Sequence, residues 1–283
     1  MNGKLLFVPG GGLGNRMRAV ASAYEQKRQT GVSIDVVWIT DWTFGAPWSG
    51  IFQPLEENGF KVRDASLFDR ILYDKPRRHN LWLPLLPQKL MFEQRIDDYE
   101  VTPLKRRGFD FAAWAGGRRS YMGCYQEFGP IDSSIYPKLY RPLEVVERLT
   151  ETFTDQFAPH TVGFHIRRTD HNEATERSPL SLFISKAEEI LSGNPSAKIF
   201  LATDDESVKQ QLSGLFGNPI ITTPAGTYSR ETTEGMREAL AEMLALSRTE
   251  KIYGCFGSTF PVVASRMSGT PLEVLEQDDF DRA

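Results

Sequence analysis

The sequence predicts an α/β protein built from two domains with parallel sheets. Three observations carry this. Residues 161–268 alternate strand-like and helix-like segments four times, residues 4–9 form an apolar run that passes directly into a glycine-rich turn and a helical pattern, and 283 residues suffice for two cores of ordinary size. The boundary falls between Pro142 and His160, giving an N-terminal domain over 1–150 and a C-terminal domain over 151–283.

In chain order, the strand at 4–9 leads into Gly10-Gly11-Gly12-Leu13-Gly14-Asn15-Arg16-Met17, after which Ala19, Val20, Ala23 and Tyr24 recur at helical spacing. Such a strand-to-helix turn lets a ligand approach backbone N–H groups, although it serves equally for tight packing. Its spacing departs from the dinucleotide fingerprint, so a nicotinamide enzyme is a poor reading. The β-branched run at 33–39 predicts the second strand; a small helix is expected at 51–58 and a short third strand at 60–62. Residues 74–99 read as irregular because Pro76, Pro84 and Pro87 interrupt the leucines and Trp82. The default reading is a loop capping the core, the alternative an acceptor cleft. Lys105-Arg106-Arg107 and Arg118-Arg119 read as solvated basic faces, with an anionic acceptor as the minority reading. Another strand is expected at 120–125 and a helix at 142–157.

The C-terminal half is regular. Strands at 161–166, 198–202, 218–222 and 250–255 alternate with helices at 179–192, 205–214, 232–247 and 259–268. A net charge of −4 gives no global basic field, which disfavours nucleic acid as a partner and suits a small anionic ligand. The two cysteines, Cys124 and Cys255, read as buried thiols in a reducing compartment. No apolar run reaches the roughly 20 residues of a membrane span and no charged and apolar leader precedes the first strand, so the expected location is cytoplasmic.

Three stretches carry candidate chemistry. The run Phe164-His165-Ile166 breaks into Arg167-Arg168-Thr169-Asp170, and arginines at the C-terminal edge of a strand can hold phosphate oxygens through paired donors. The competing reading is a surface ion pair with Asp170 or a nearby glutamate. The strand at 198–202 ends in Thr203-Asp204-Asp205-Glu206, which suits helix capping better than a divalent metal. The last strand opens into Phe256-Gly257-Ser258-Thr259, whose Ser258 and Thr259 would stand at a helix start that caps itself, binds phosphate or does both. Glu242, on the helix before it, is either a solvated side chain or a carboxylate that accepts the two N–H donors on the edge of guanine.

Together, the Gly-Gly-Leu-Gly-Asn, His-Ile-Arg-Arg-Thr-Asp, Leu-Ala-Thr-Asp-Asp and Phe-Gly-Ser-Thr stretches occur in an order that resembles the fucosyltransferase superfamily. That group holds the α1,2- and α1,6-fucosyltransferases, the nodulation fucosyltransferase and the protein O-fucosyltransferases. The resemblance covers residues 5–17 and most of 160–270. It implies a GT-B fold, two Rossmann-like domains facing a cleft, with GDP-fucose held mainly by the C-terminal domain and a glycan acceptor approached from the N-terminal one. It implies an inverting, metal-independent transfer of fucose. By position, Arg167 matches the arginine on the β-phosphate and His165 the histidine beside it. Gly12, Gly14 and Asn15 fall in the donor-facing loop, Asp204 in the third matching stretch, Ser258 and Thr259 at the phosphate-binding helix start, and Glu242 where α1,6-type members carry a base-reading aspartate. The general base of those members does not align without a gap, which leaves Glu173, Glu176 and His171 as candidates. The alternatives are a transferase using another nucleotide sugar and a binding protein for nucleotide sugars or glycans.

Overall fold

The computed structural model describes residues 3–168, 172–223 and 229–277. It divides into two compact units, Met1–Leu143 with Arg230–Met236, and Glu144–Ser229 with Arg237–Ala283. Each is built on its own sheet.

The N-terminal unit contains β1 (Lys4–Pro9), β2 (Ser33–Trp38), β3 (Leu55–Glu57), β4 (Phe60–Asp64), β5 (Gln94–Ile96) and β6 (Arg119–Cys124), in the order β3-β4-β2-β1-β6-β5. Every pair is parallel except β3 with β4. Its helices are α1 (Leu13–Thr30), α2 (Leu67–Tyr73), α3 (Leu85–Met91), α4 (Asp98–Arg106), α5 (Phe111–Ala115) and α6 (Tyr136–Leu139). Because β1 has β2 on one side and β6 on the other, the order of travel reverses between β1 and β6. The glycine turn after β1 therefore lies at the crevice where such sheets take ligands.

The expected helix at 51–58 is absent. Glu57 pairs with Phe60 across Asn58-Gly59, and Gly59 has φ +79°. Asn-Gly between two extended runs is a strong two-residue hairpin signal, and it overrides weak helical periodicity. The reading of 74–99 as a core-capping loop is also corrected. Pro84 and Pro87 fall at the N-cap and in the first turn of α3, where a missing N–H costs nothing, and Leu81, Trp82, Leu83 and Leu86 are exposed.

The C-terminal unit holds β7 (Thr161–Ile166), β8 (Lys198–Thr203), β9 (Ile220–Thr222), β10 (Ile252–Cys255) and β11 (Leu272–Leu275), all parallel, in the order β11-β10-β7-β8-β9. The connecting helices are α7 (Glu144–Thr154), α8 (Asn172–Arg177), α9 (Leu180–Gly193), α10 (Glu206–Phe216), α11 (Thr233–Ser247, which begins among the residues grouped with the N-terminal unit) and α12 (Thr259–Ser268). Counted from its own first strand, this sheet runs 5-4-1-2-3, the Rossmann order. Every residue of β7 is buried, as a strand covered on both faces requires. Its core includes Phe164, Ile166, Phe183, Ile199, Leu201 and Leu212.

Gly163 shows how tightly β7 is covered. A Cβ there would lie 2.7 Å from Leu246 Cδ2 and 2.9 Å from Thr249 Oγ1, both on buried residues. Gly163→Ala is therefore expected to cost about 1–3 kcal/mol through overpacking. Urea unfolding of the variant checks this; an unchanged midpoint would mean that Leu246 and Thr249 yield freely.

Candidate functional site

In the C-terminal unit the order of travel reverses between β7 and β10, the two strands that carry the arginine stretch and the Phe-Gly-Ser-Thr stretch. Gly254 pairs with His165, so Cys255 stands beside Ile166 and the chain leaves both strands at the same edge. The Arg167 N–H points at Cys255 Sγ, 3.4 Å away. Burial pushes the Cys255 thiol up, so it stays neutral there. His165 is buried and its ring stacks on Phe260 at 4.8 Å, a contact that fixes the imidazole face without using its nitrogens.

Arg168 is turned into the framework: its N–H donates to Asp204 Oδ1 at 2.8 Å, Nη2 to the Ser178 carbonyl at 2.9 Å and Nη1 to the Arg167 carbonyl at 3.2 Å. Arg167 is half-buried at the strand end. Asp204 thus ties β8 to the loop after β7, while Asp205 caps α10 by accepting from the Ser207 N–H at 2.8 Å. The capping expectation holds for Asp205 and not for Asp204.

The start of α12 is open. Ser258 is its N-cap residue, yet its side chain makes no capping hydrogen bond. The hydroxyl is buried and, among the described residues, has no hydrogen-bond partner. Buried hydroxyls without partners are rare, and this one stands among helix N–H groups that also lack intrahelical acceptors. Gly257, at φ +69°, turns the chain sharply into the helix. Free N–H groups beside an unpartnered hydroxyl are the chemistry that suits an anion. Thr259 is the first helical residue and is half-buried.

A second polar group lies at the β8 and β9 side of the sheet. Lys209, almost fully buried on α10, donates to Thr223 Oγ1 at 2.7 Å and lies 3.6 Å from Glu206. Thr223 in turn hydrogen-bonds Glu242. Part of Glu242 reaches the surface, but the chain surrounds its carboxyl, and burial pushes that carboxyl up to about 7 against the opposite pull of Lys209 and Thr223. Glu242 is thus neither a plain solvated side chain nor a permanently ionised one.

Glu173 and Glu176 lie on α8 with exposed side chains. Glu173 is 3.7 Å from Arg177, whose guanidinium sits over the Phe256 ring at 3.5 Å and pairs with Glu276 at 3.0 Å. The described contacts connect α8 to the segment after β10 through Arg177 rather than through either glutamate. His171, Thr169 and Asp170 lie outside the described residues.

In the N-terminal unit, Gly12 is the N-cap of α1, without a side-chain bond to close the helix start; Gly14 is buried and Asn15 half-buried within the first turn. Arg16 holds this loop. It is fully buried, donates from Nε to the Gly11 carbonyl and from Nη1 to the Ile39 carbonyl, both at 2.7 Å, and pairs with Asp41 at 3.4 Å. Lys75 packs against the loop from outside, where a Cβ on Gly10 would lie 2.1 Å from its ammonium nitrogen; Lys75 pairs with Asp98 at 2.7 Å.

Sequence reasoning did not find Lys209, Thr223, Ser178 or Lys75. One faint signal existed. Lys209 follows Val208 and precedes Leu212 by three residues, an inward position at which lysine is unusual. Ser178 and Thr223 carry no signal at all.

No protein-family model matches the chain, and no curated protein matches it in sequence. Solved structures do. The NodZ α-1,6-fucosyltransferase soaked with GDP-fucose matches with a TM-score of 0.67 at 16% identity, over 98% of this chain and 96% of that one. Arabidopsis thaliana FUT1, as a mutant in complex with GDP, matches with a TM-score of 0.60 at 14% identity, over 97% of this chain and 70% of that one. POFUT1 in complex with GDP-fucose matches with a TM-score of 0.55 at 12% identity, over 96% and 98%. The chain therefore has the GT-B fold of these fucosyltransferases along nearly its whole length.

Proposed function

We propose that this chain is a glycosyltransferase that moves fucose from GDP-fucose to a glycan hydroxyl, with inversion at the anomeric carbon and without a metal ion. The single observation that carries this reading is the buried, unpartnered Ser258 hydroxyl at the uncapped start of α12, beside the strand end that delivers Arg167. Its setting is a fold shared with fucosyltransferases whose structures contain GDP or GDP-fucose.

In this reading the acceptor oxygen forms its bond to the anomeric carbon as the bond to the β-phosphate oxygen breaks on the opposite face. The acceptor proton passes to a base, for which Glu173, Glu176 and His171 are the candidates. Negative charge grows on the departing diphosphate, where Arg167 and the N–H groups and hydroxyls of Ser258 and Thr259 stabilise it without a metal. His165, held by Phe260, and Asp204, held by Arg168, shape the edge of the diphosphate site. The unpaired, buried Cys124 and Cys255 fit a reducing compartment, and we assign the enzyme to the cytoplasm.

Calorimetric titration of GDP, GDP-fucose and UDP-glucose, with chelator present, tests the donor assignment. Guanine-selective binding is expected; absence of binding by either guanine nucleotide overturns the reading. Base recognition carries a pH signature. Glu242 must be ionised to accept from the two N–H groups of guanine, and its carboxyl is raised to about 7. GDP affinity should therefore rise as pH increases toward 7 and level off above it, by up to about tenfold per pH unit on the acid side. Glu242→Gln should weaken binding and remove this component. The difference between the two proteins isolates Glu242 from the titration of the terminal phosphate, and parallel pH profiles would remove it from base recognition.

A further inference from the structure

Two helices of the N-terminal unit are turned inside out. In α2 the buried residue is Asp69, locked in a two-fold hydrogen-bonded pair with Arg63 at 2.7 and 2.8 Å, while Leu67, Phe68 and Ile71 are exposed. In α3 the fully buried residue is Gln88, which donates to the Asp74 carbonyl at 2.9 Å and accepts from Arg95 at 2.8 Å, while Leu86 and Leu90 are exposed. Ordinary surface helices do the opposite. The two helices pack on each other. Between them Leu81 and Trp82 take φ +51° and +58°, the only non-glycine residues with positive φ among those described, and their side chains are 76% and 55% exposed. Left-handed backbone is disfavoured for side chains of this size, so the surrounding fold holds the apolar tip outward.

The concentration is specific to this face. Among the described residues, eight of the fourteen exposed large apolar side chains fall within residues 67–90. The same segment carries five arginines and lysines against two aspartates, an excess of three positive charges in a chain whose net charge is −4. Arg70, Arg78 and Lys89 are exposed around the apolar side chains. Leucine and tryptophan at a tip with a basic rim match the boundary of an anionic bilayer, where the apolar groups enter the acyl edge and the cations meet lipid phosphates. Among the described residues no helix is long and apolar enough to cross a membrane, so the contact is with the surface.

We propose that residues 67–90 form a docking face that seats the protein on the surface of an anionic lipid bilayer. The inference stands apart from the sugar-transfer reading, since no residue proposed to bind the donor lies in it. The test is co-sedimentation of the full-length protein with vesicles of phosphatidylcholine alone and with phosphatidylglycerol added. The proteins are wild type, Trp82→Asp with Leu86→Asp, and a control with Leu215→Asp on α10; thermal melts confirm folding. Wild type and control should bind the anionic vesicles, weaken as salt rises and bind neutral vesicles poorly, and the double variant should bind at least about tenfold more weakly. Wild type that stays in the supernatant, or a folded double variant that binds as well as wild type, overturns the proposal. So does a concentration-dependent dimer in sedimentation equilibrium that the double variant abolishes, because a second copy would then cover the face.

Discussion

Arg167→Ala is expected to lower release of GDP from GDP-fucose by at least about 10²-fold while leaving the fold intact. The loss corresponds to about 3 kcal/mol or more of transition-state stabilisation, the effect of removing one well-placed donor to a developing oxyanion. The main-chain hydrogen bonds at this corner should survive the substitution. The Arg167 main chain keeps its N–H toward Cys255 and its carbonyl accepts from Arg168, both of which an alanine preserves. Arg167→Lys retains the charge without the planar fork, so intermediate activity is expected. Arg168→Ala should behave differently. Its side chain links two carbonyls of the loop, so the variant should lose thermal stability together with activity. Turnover measured beside melting temperature for the three variants separates the roles, and an Arg167→Ala protein of full activity would return that side chain to a structural ion pair.

The second large effect is on stability. Arg16→Ala is expected to destabilise the protein by about 3–5 kcal/mol, the range for breaking a buried, hydrogen-bonded charge cluster. Burial pulls the Arg16 guanidinium down to about 10, against the opposing pull of Asp41, which still leaves it charged at neutral pH. It lies over the Trp38 and Phe44 rings at 5.2 and 4.8 Å and fastens the glycine turn to the end of β2 through the Gly11 and Ile39 carbonyls. Alanine would leave a cavity, two carbonyls without donors and Asp41 without its buried partner. Urea unfolding gives the number directly. A change under about 1 kcal/mol would mean that the turn holds itself and that the arginine is incidental.

The two-sheet architecture was legible because parallel strands with both faces covered read as apolar runs between helical patterns, and β7, β8 and β10 do so clearly. Strand order was not, since nothing in the run at 250–255 says that it pairs with 161–166 rather than with 218–222. That pairing is what brings Arg167 and Ser258 to one edge; the residues alone did not join the two stretches, and only the family resemblance put both at the diphosphate. The β3–β4 hairpin was lost to a weak helical pattern although Asn58-Gly59 announced it. β11 was missed because it is short, at the edge and interrupted by Glu273. The Lys209–Thr223–Glu242 group was out of reach for another reason. Lysine on a helix reads as solvated, and only the fold shows that α10 turns this one inward. Conversely, the leucines after Asp74 read as part of a loop capping the core and are instead exposed, while the polar Gln88 takes the inward position in α3.

The central claim is that the edge shared by β7 and β10 cleaves the bond between sugar and diphosphate rather than merely binding a nucleotide sugar. Chromatographic detection of GDP released from GDP-fucose, with chelator present and with a panel of glycan acceptors, tests it most directly. The account predicts slow release without acceptor, faster release with at least one acceptor, and loss of both in Arg167→Ala. Tight GDP-fucose binding with no GDP released under any condition would contradict it, and would make the protein a nucleotide-sugar binder on a transferase fold.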